Sequence, residues 1–170
     1  MIDLVPYVEI NGSRTVSDEK LKEVFYQIKQ EGTLSVVFSD GRVNSEDDFI
    51  SLMKAPTNCA VFALVDQRLS GFAWINSCND NHAFAHFCFF KEAWGVKAME
   101  VGKAMLDYWF KFPGPDGPLF DVIIGMIPKF NEKAQAFIER LGFQRVGEIP
   151  KIARRGKDRV PSVVSYYLRK

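Results

Sequence analysis

Residues 120–143 read FDVIIGMIPKFNEKAQAFIERLGF, and the order of residue types within them specifies a strand, a loop and a helix. Val122, Ile123 and Ile124 form a short β-branched run, the composition of a strand covered on both faces. Pro128 has no N–H to give a central ladder, so the strand is expected to stop there. Asn131 is placed to cap the helix that follows, with Glu132 favourable beside the positive helix end. Ala134, Phe137, Ile138 and Leu141 recur at i, i+3, i+4 and i+7 and share one helical face. Gly142 stands where a left-handed C-terminal residue is wanted, and Phe143 opens a new extended run.

Working outward, the chain has 170 residues, enough for one domain with a substantial core. Apolar residues make up 47% and charged residues 25%, as in an ordinary water-exposed globular protein. Fifteen phenylalanines imply a strongly aromatic core. A formal net charge of +1 gives no global attraction to nucleic acid or to a membrane surface. The three cysteines, Cys59, Cys78 and Cys88, have no metal-ligand spacing and leave an odd thiol, which suits a reducing compartment. The start, MIDLVPYVEI, lacks a basic region before an apolar run, and no apolar stretch is long enough to cross a bilayer. The expected location is the cytoplasm, and no metal site is expected.

Before the deciding stretch, Leu4–Ile10 reads as an edge strand interrupted by Pro6. Ser17 caps a helix with Leu21, Val24, Phe25 and Ile28 on its apolar face, ended by Gly32. Leu34–Phe38 is expected to be a short extended segment. Ser45 and Asp48 have capping-box spacing for a second helix, which stops before Pro56. Three strands follow, Cys59–Val65, Gly71–Ile75 and His82–Phe90. Asp66-Gln67-Arg68 and Asn79-Asp80-Asn81 connect them so tightly that neighbours must be antiparallel. A helix over Ala98–Phe110 comes next, then a stiff surface loop, Phe112–Pro118. Strands over Phe143–Ile152 and Val160–Leu168 close the chain. Pattern alone specifies a mixed α/β domain spanning 1–170.

The motif Asn131-x-x-Ala134, the apolar pair Phe137–Ile138 and Leu141-Gly142-Phe143 together resemble the fourth-helix motif of the GNAT superfamily of N-acetyltransferases. The element order extends the resemblance over nearly the whole chain, which is also similar to GNAT-like proteins carried by phages and prophages. The resemblance implies a mostly antiparallel sheet with helices on both faces. The strands near 82–90 and 120–127 should run parallel and splay at their C-terminal ends. It also implies acetyl-coenzyme A, or a related acyl-CoA, as acyl donor to an amine.

The family binds the pyrophosphate at a loop and helix start, where convergent N–H groups and the helix dipole favour an anion. Aligned on the helix, this loop is Lys97-Ala98-Met99-Glu100-Val101-Gly102. Gly102 fits, Lys97 substitutes for the family's Gln or Arg, and Glu100 departs by putting an anion where a glycine stands. Gly95 is the alternative close-approach glycine. The backbone of Cys88, Phe89 and Phe90 would bind the pantetheine arm and the thioester carbonyl. The Cys88 thiol itself reads as a core group. Asn131 matches a cofactor-contacting Asn, compatibly with its capping role.

Amine acylation needs a proton acceptor. His82 and His86 lie on one strand with even spacing and therefore on one face. His86 is nearer the reacting end and is the candidate base; packing within the sheet is the alternative. The tyrosine that in the family protonates the departing thiol is replaced by Ile138. Tyr166 or Tyr167 could substitute, so the acid is unassigned. Lys151, Arg154, Arg155, Lys157 and Arg159 form either a solvated hairpin or a basic rim that favours an anionic acceptor. The leading reading is an N-acyltransferase acting on a small-molecule or protein amine. The others are a nucleic-acid base-modifying enzyme of the same fold, and a degenerate module that binds without transferring.

Overall fold

The computed structural model describes residues 1–170. In chain order the elements begin with β1 (Ile2–Pro6), β2 (Glu9–Ile10), β3 (Ser13–Arg14), α1 (Asp18–Gln30), α2 (Leu34–Val37) and α3 (Glu46–Lys54). The central part is β4 (Cys59–Val65), β5 (Arg68–Asn79), β6 (His82–Phe89) and α4 (Val96–Trp109). The chain ends with β7 (Pro113–Gly114), β8 (Gly117–Pro118), β9 (Val122–Pro128), α5 (Glu132–Leu141), β10 (Gln144–Arg155) and β11 (Asp158–Leu168). Seven strands form one sheet in the order β1-β4-β5-β6-β9-β11-β10.

The capping signals act as read. Ser17 accepts from the Lys20 N–H and Asn131 from the Ala134 N–H. Ser45 and Asp48 form a reciprocal capping box, and Gly142 is left-handed at φ 109°. Beyond shifts of two or three residues at the ends of α4, β10 and β11, four stretches differ from expectation. Leu34–Val37 is a helical turn, because the Thr33 carbonyl accepts from both the Val36 and Val37 N–H and outweighs their β-branched preference. The first expected strand ends at Pro6, and Glu9–Ile10 forms a separate hairpin with Ser13–Arg14. β5 is much longer than Gly71–Ile75, and the stretch after Phe112 holds the small β7–β8 hairpin rather than a plain loop.

The sheet separates two apolar layers. Side chains alternate across it, so Val61, Ala73, Ile75 and Ala85 pack against α4 and α5, with Trp109 and Met105. Phe62, Phe72, Trp74 and Cys88 pack on the other face with Phe25 and Phe49 of α1 and α3. The aromatic abundance is concentrated in this second layer. Phe49, Phe72 and Trp74 follow one another edge-on and stacked at centroid spacings of 5.3 and 6.0 Å.

One feature of the sheet positions the site. β6 and β9 are parallel neighbours, joined through α4 as a parallel pair requires. Their pairing covers only His82–Phe84 against Val122–Ile124. Beyond it β6 stays with β5 up to Phe89, and β9 stays with β11 up to Pro128. The sheet therefore opens between Ala85–Phe89 and Gly125–Pro128.

Candidate active site

The backbone along the opening follows from strand alternation. The Phe90 N–H donates to the Ser70 carbonyl at 3.0 Å, toward β5. By the two-residue period, Cys88 also directs its backbone to β5, whereas Phe87 and Phe89 direct theirs into the gap. Of the expected trio Cys88, Phe89 and Phe90, only Phe89 thus turns its peptide groups into the gap, and Phe87 does the same. The Cys88 side chain is buried in the aromatic layer, which pushes its thiol pKa far up, so it is a core group.

Helix α4 begins at one side of this gap. Its N-cap is Gly95 at φ 89°, a conformation that favours glycine, with open space where a Cβ would stand. No side chain caps it, and no acidic residue occupies its first turn. The N–H groups of Val96, Lys97 and Ala98 have no backbone partner. Gly95, not Gly102, therefore stands at the start of the helix, so the alignment that placed Gly102 in the loop does not match the structure. Gly102 lies about two turns further on, where its missing Cβ admits Phe137 and Leu141: a Cβ there would meet Phe137 at 2.9 Å.

Lys97 and Glu100 do not face the gap. Lys97 lines a small polar hollow with Asp66, Arg68 and Glu92 on the β4–β5 side of the helix. The Glu100 charge acts on the Met1 ammonium, which is ion-paired with Asp66 at 2.8 Å. The expected clash between Glu100 and a phosphate is therefore not built into the molecule. Across the gap, α5 starts at Asn131, whose Oδ1 is committed to its own helix. Trp94 lies at the mouth: its Nε1 donates to the Phe89 carbonyl at 3.0 Å, and Lys133 Nζ sits 4.8 Å from its ring centroid.

On the opposite face of the opening lies a groove of about 450 Å³. β6 contributes His86 to it, β9 contributes Met126 and Pro128, and the α2–α3 connection contributes Asp40 and Arg42. The β10–β11 hairpin supplies Arg154, Arg159 and Ser162 and leans toward the α2–α3 connection, where the Gly156 N–H reaches the Ser39 carbonyl at 3.3 Å. His86 stacks on Trp74, its cross-strand partner, at 4.6 Å and 10°, and Nε2 lies 3.3 Å from Asn76 Oδ1. Burial, then the Arg42 guanidinium, lowers its pKa to about 4, with Asp40 opposing. The imidazole is thus neutral at neutral pH, and its lowered pKa makes it a weak base there. His82 sits at the turn and pairs with Asn79.

The acid position remains apolar. Ile138 is buried in the α4–α5 layer. Tyr166 donates to Gln144 Oε1 at 2.6 Å, and Tyr167 packs on Phe110 and Phe143. Both tyrosines pair with β9 at Ile124 and Ile123, before the opening, so neither stands beside it. Sequence reading missed Arg42, Asp40 and Trp74. Ser39-Asp40-Gly41 carries only a turn signal, and Trp74 reads as core. The basic cluster divides: Arg154 and Arg159 line the groove, while the Arg155 guanidinium lies 4.7 Å from the Phe130 ring centroid.

No protein-family model matches the chain, and no curated protein matches it by sequence. Solved structures do. The microcin C7 self-immunity acetyltransferase MccE, solved with acetyl-CoA and AMP, superposes with a TM-score of 0.72 at 13% identity, over 91% of this chain and 89% of that one. Spermidine N-acetyltransferase from Vibrio cholerae, solved with CoA and spermine, gives 0.71 at 17% identity, over 97% and 95%. A GNAT-family acetyltransferase from Bacillus anthracis gives 0.70 at 17% identity, over 90% and 91%. The chain has the GNAT fold. Its mostly antiparallel sheet, parallel pair and helices on both faces are those the resemblance implies.

Proposed function

We propose that the protein is an N-acyltransferase that takes an acyl group from acetyl-CoA, or a related thioester, to an amine. The observation that carries this reading is the opening between β6 and β9, where the Phe87 backbone and the Phe89 N–H face the gap beside an uncapped helix start at Gly95. Such a helix end suits a pyrophosphate, since three free N–H groups and the helix dipole converge there. Phe89 and Phe87 would align an extended amide-bearing arm as a neighbouring strand does, and Asn131 and Lys133 flank the same mouth. Bound there, the thioester supplies an activated acyl carbon: the carbon–nitrogen bond forms as the carbon–sulfur bond breaks, and the amine's surplus proton is taken up as the thiol leaves.

The chain's own groups have distinct tasks in this scheme. His86 faces the acceptor side of the opening and takes the proton directly or through one water. The aromatic layer beneath it, Trp74 and Phe38, fixes the imidazole plane and excludes water. No tyrosine replaces the missing acid, so the leaving thiol is protonated by solvent or by the proton His86 has received. The acceptor is a small-molecule or protein amine; a net charge of +1 does not favour nucleic acid. Three free cysteines support a reducing, cytoplasmic setting.

A binding-only module is the second reading, favoured by the Trp94 indole already occupying the Phe89 carbonyl. Calorimetric titration with acetyl-CoA, paired with detection of free thiol in the presence of an amine panel, decides between them. Binding with thiol release supports the enzyme. Binding without release across the panel supports the module, and absence of binding removes the enzyme and leaves the module.

A further inference from the structure

Arg154 and Arg159 are direct cross-strand partners in the β10–β11 register, and both line the acceptor groove. Like charges placed opposite one another destabilise a strand pair. Neither guanidinium has an ion pair or a side-chain hydrogen bond in the protein, although the chain carries nearly as many acidic as basic residues. Arg42 adds a third guanidinium, and the one carboxylate lining the groove, Asp40, is already paired with it at 2.5 Å. Ser162, almost fully buried at 1% exposure, also lines the groove and has no side-chain partner in the protein. The wall is thus an uncompensated cationic pair with a free hydroxyl near it, in a groove of the size that takes a small molecule.

We infer that the acceptor is a small amine bearing an anionic group, a phosphate or a carboxylate, held by Arg154 and Arg159 while its amino group reaches His86 at the other end of the groove. The inference rests on the acyltransferase reading and narrows it. An anion between the two guanidiniums converts their repulsion into two charge-assisted hydrogen-bonded contacts, and the planar fork of arginine matches phosphate or carboxylate geometry. The same wall repels a polycationic amine, so a substrate such as the spermine found in the Vibrio cholerae neighbour does not fit here.

The test compares matched acceptors in a thiol-release assay with acetyl-CoA: glucosamine against glucosamine 6-phosphate for the phosphate arm, and leucinamide against leucine for the carboxylate arm, with spermidine as the polycation. At least one anionic member should have a kcat/KM roughly tenfold or more above its neutral counterpart, and spermidine should be the poorest substrate. Arg154→Gln and Arg159→Gln should each raise KM for that anionic amine about tenfold with little change in kcat, whereas Lys157→Gln, at the exposed turn, should not. Arg159→Gln should also raise the thermal midpoint slightly, because it removes the repulsive pair. Equal or better turnover of the neutral amines, or of spermidine, overturns the inference. So does tighter binding of a single- or double-stranded oligonucleotide than of the anionic amines at 0.15 M salt. If calorimetry shows that acetyl-CoA itself does not bind, the acyltransferase reading fails first, and fails separately.

Discussion

His86 lies face to face with Trp74 at 4.6 Å, in a half-buried position that keeps it uncharged. Its pKa is lowered from 6.5 to about 4, chiefly by burial and secondly by Arg42. Between those two pH values the unfolded chain binds a proton that the folded chain refuses, so stability is lost as pH falls from 6.5 toward 4. The loss is on the order of 3 kcal/mol. In His86→Gln the thermal midpoint should depend less on pH across that window, which differential scanning calorimetry would show. The same variant should lower kcat and leave the acetyl-CoA dissociation constant unchanged; unaltered turnover would remove His86 from the mechanism. Glu100 gives the opposite lesson. Its carboxylate acts on the Met1 ammonium on the far side of α4 from the gap. Glu100→Gln should therefore change acetyl-CoA affinity by less than about threefold, where a carboxylate beside the pyrophosphate would have cost roughly a hundredfold.

At the level of elements, β6 and α4 would form the donor side of the proposed enzyme, and Trp94 lies in the turn between them. Its bond to the Phe89 carbonyl competes with any ligand that would use the same acceptor. Trp94→Phe keeps most of the apolar bulk and removes the N–H donor. Losing about 1 kcal/mol of competing hydrogen bond should tighten acetyl-CoA binding about fivefold by calorimetry. Weaker binding would mean that the indole is itself part of the cofactor seat. The close packing of β5 on β6 can be tested at Gly71, opposite Phe89, where a Cβ would lie 2.6 Å from the Cys88 carbonyl oxygen. Backbone cannot yield there as a side-chain tip can. Gly71→Ala should destabilise the fold by about 2–3 kcal/mol in denaturant titrations and misplace Phe89. These elements were legible to different degrees. Val122–Ile124, the Asn131 cap and Gly142 carry local signals strong enough to define β9 and α5 from sequence. Leu34–Val37 was misread because its helical turn depends on the Thr33 carbonyl rather than on propensity. The site was legible only where one strand supplied it: the even spacing of His82 and His86 showed a shared face. Arg42, Arg154 and Arg159 meet only through folding of segments more than a hundred residues apart, and no local pattern encodes that meeting.

Taken as a whole, the proposed enzyme would use opposite sides of one opened sheet for its two substrates. The donor would meet helix starts, at Gly95 and Asn131, with backbone from Phe87 and Phe89. The acceptor would meet side chains, with cationic groups on the β10–β11 hairpin and a neutral imidazole on β6. The two faces share the opening and the strands that border it, but not their binding groups. Trp94 bonds to Phe89 and lies under Lys133, whereas Arg159 pairs with Arg154 and lines the groove on the other face of the sheet. Substitutions at independent sites add in free energy within about 0.5 kcal/mol. We therefore expect the double variant Trp94→Phe/Arg159→Gln to combine the two single effects without coupling. The dissociation constant for acetyl-CoA should follow Trp94 alone. KM for the anionic amine should follow Arg159 alone, and kcat/KM should equal the product of the single-variant ratios within a factor of about two. A coupling beyond roughly tenfold would show that the faces communicate through the sheet, with β6 shifting between Trp94 at its exit and His86 along its length.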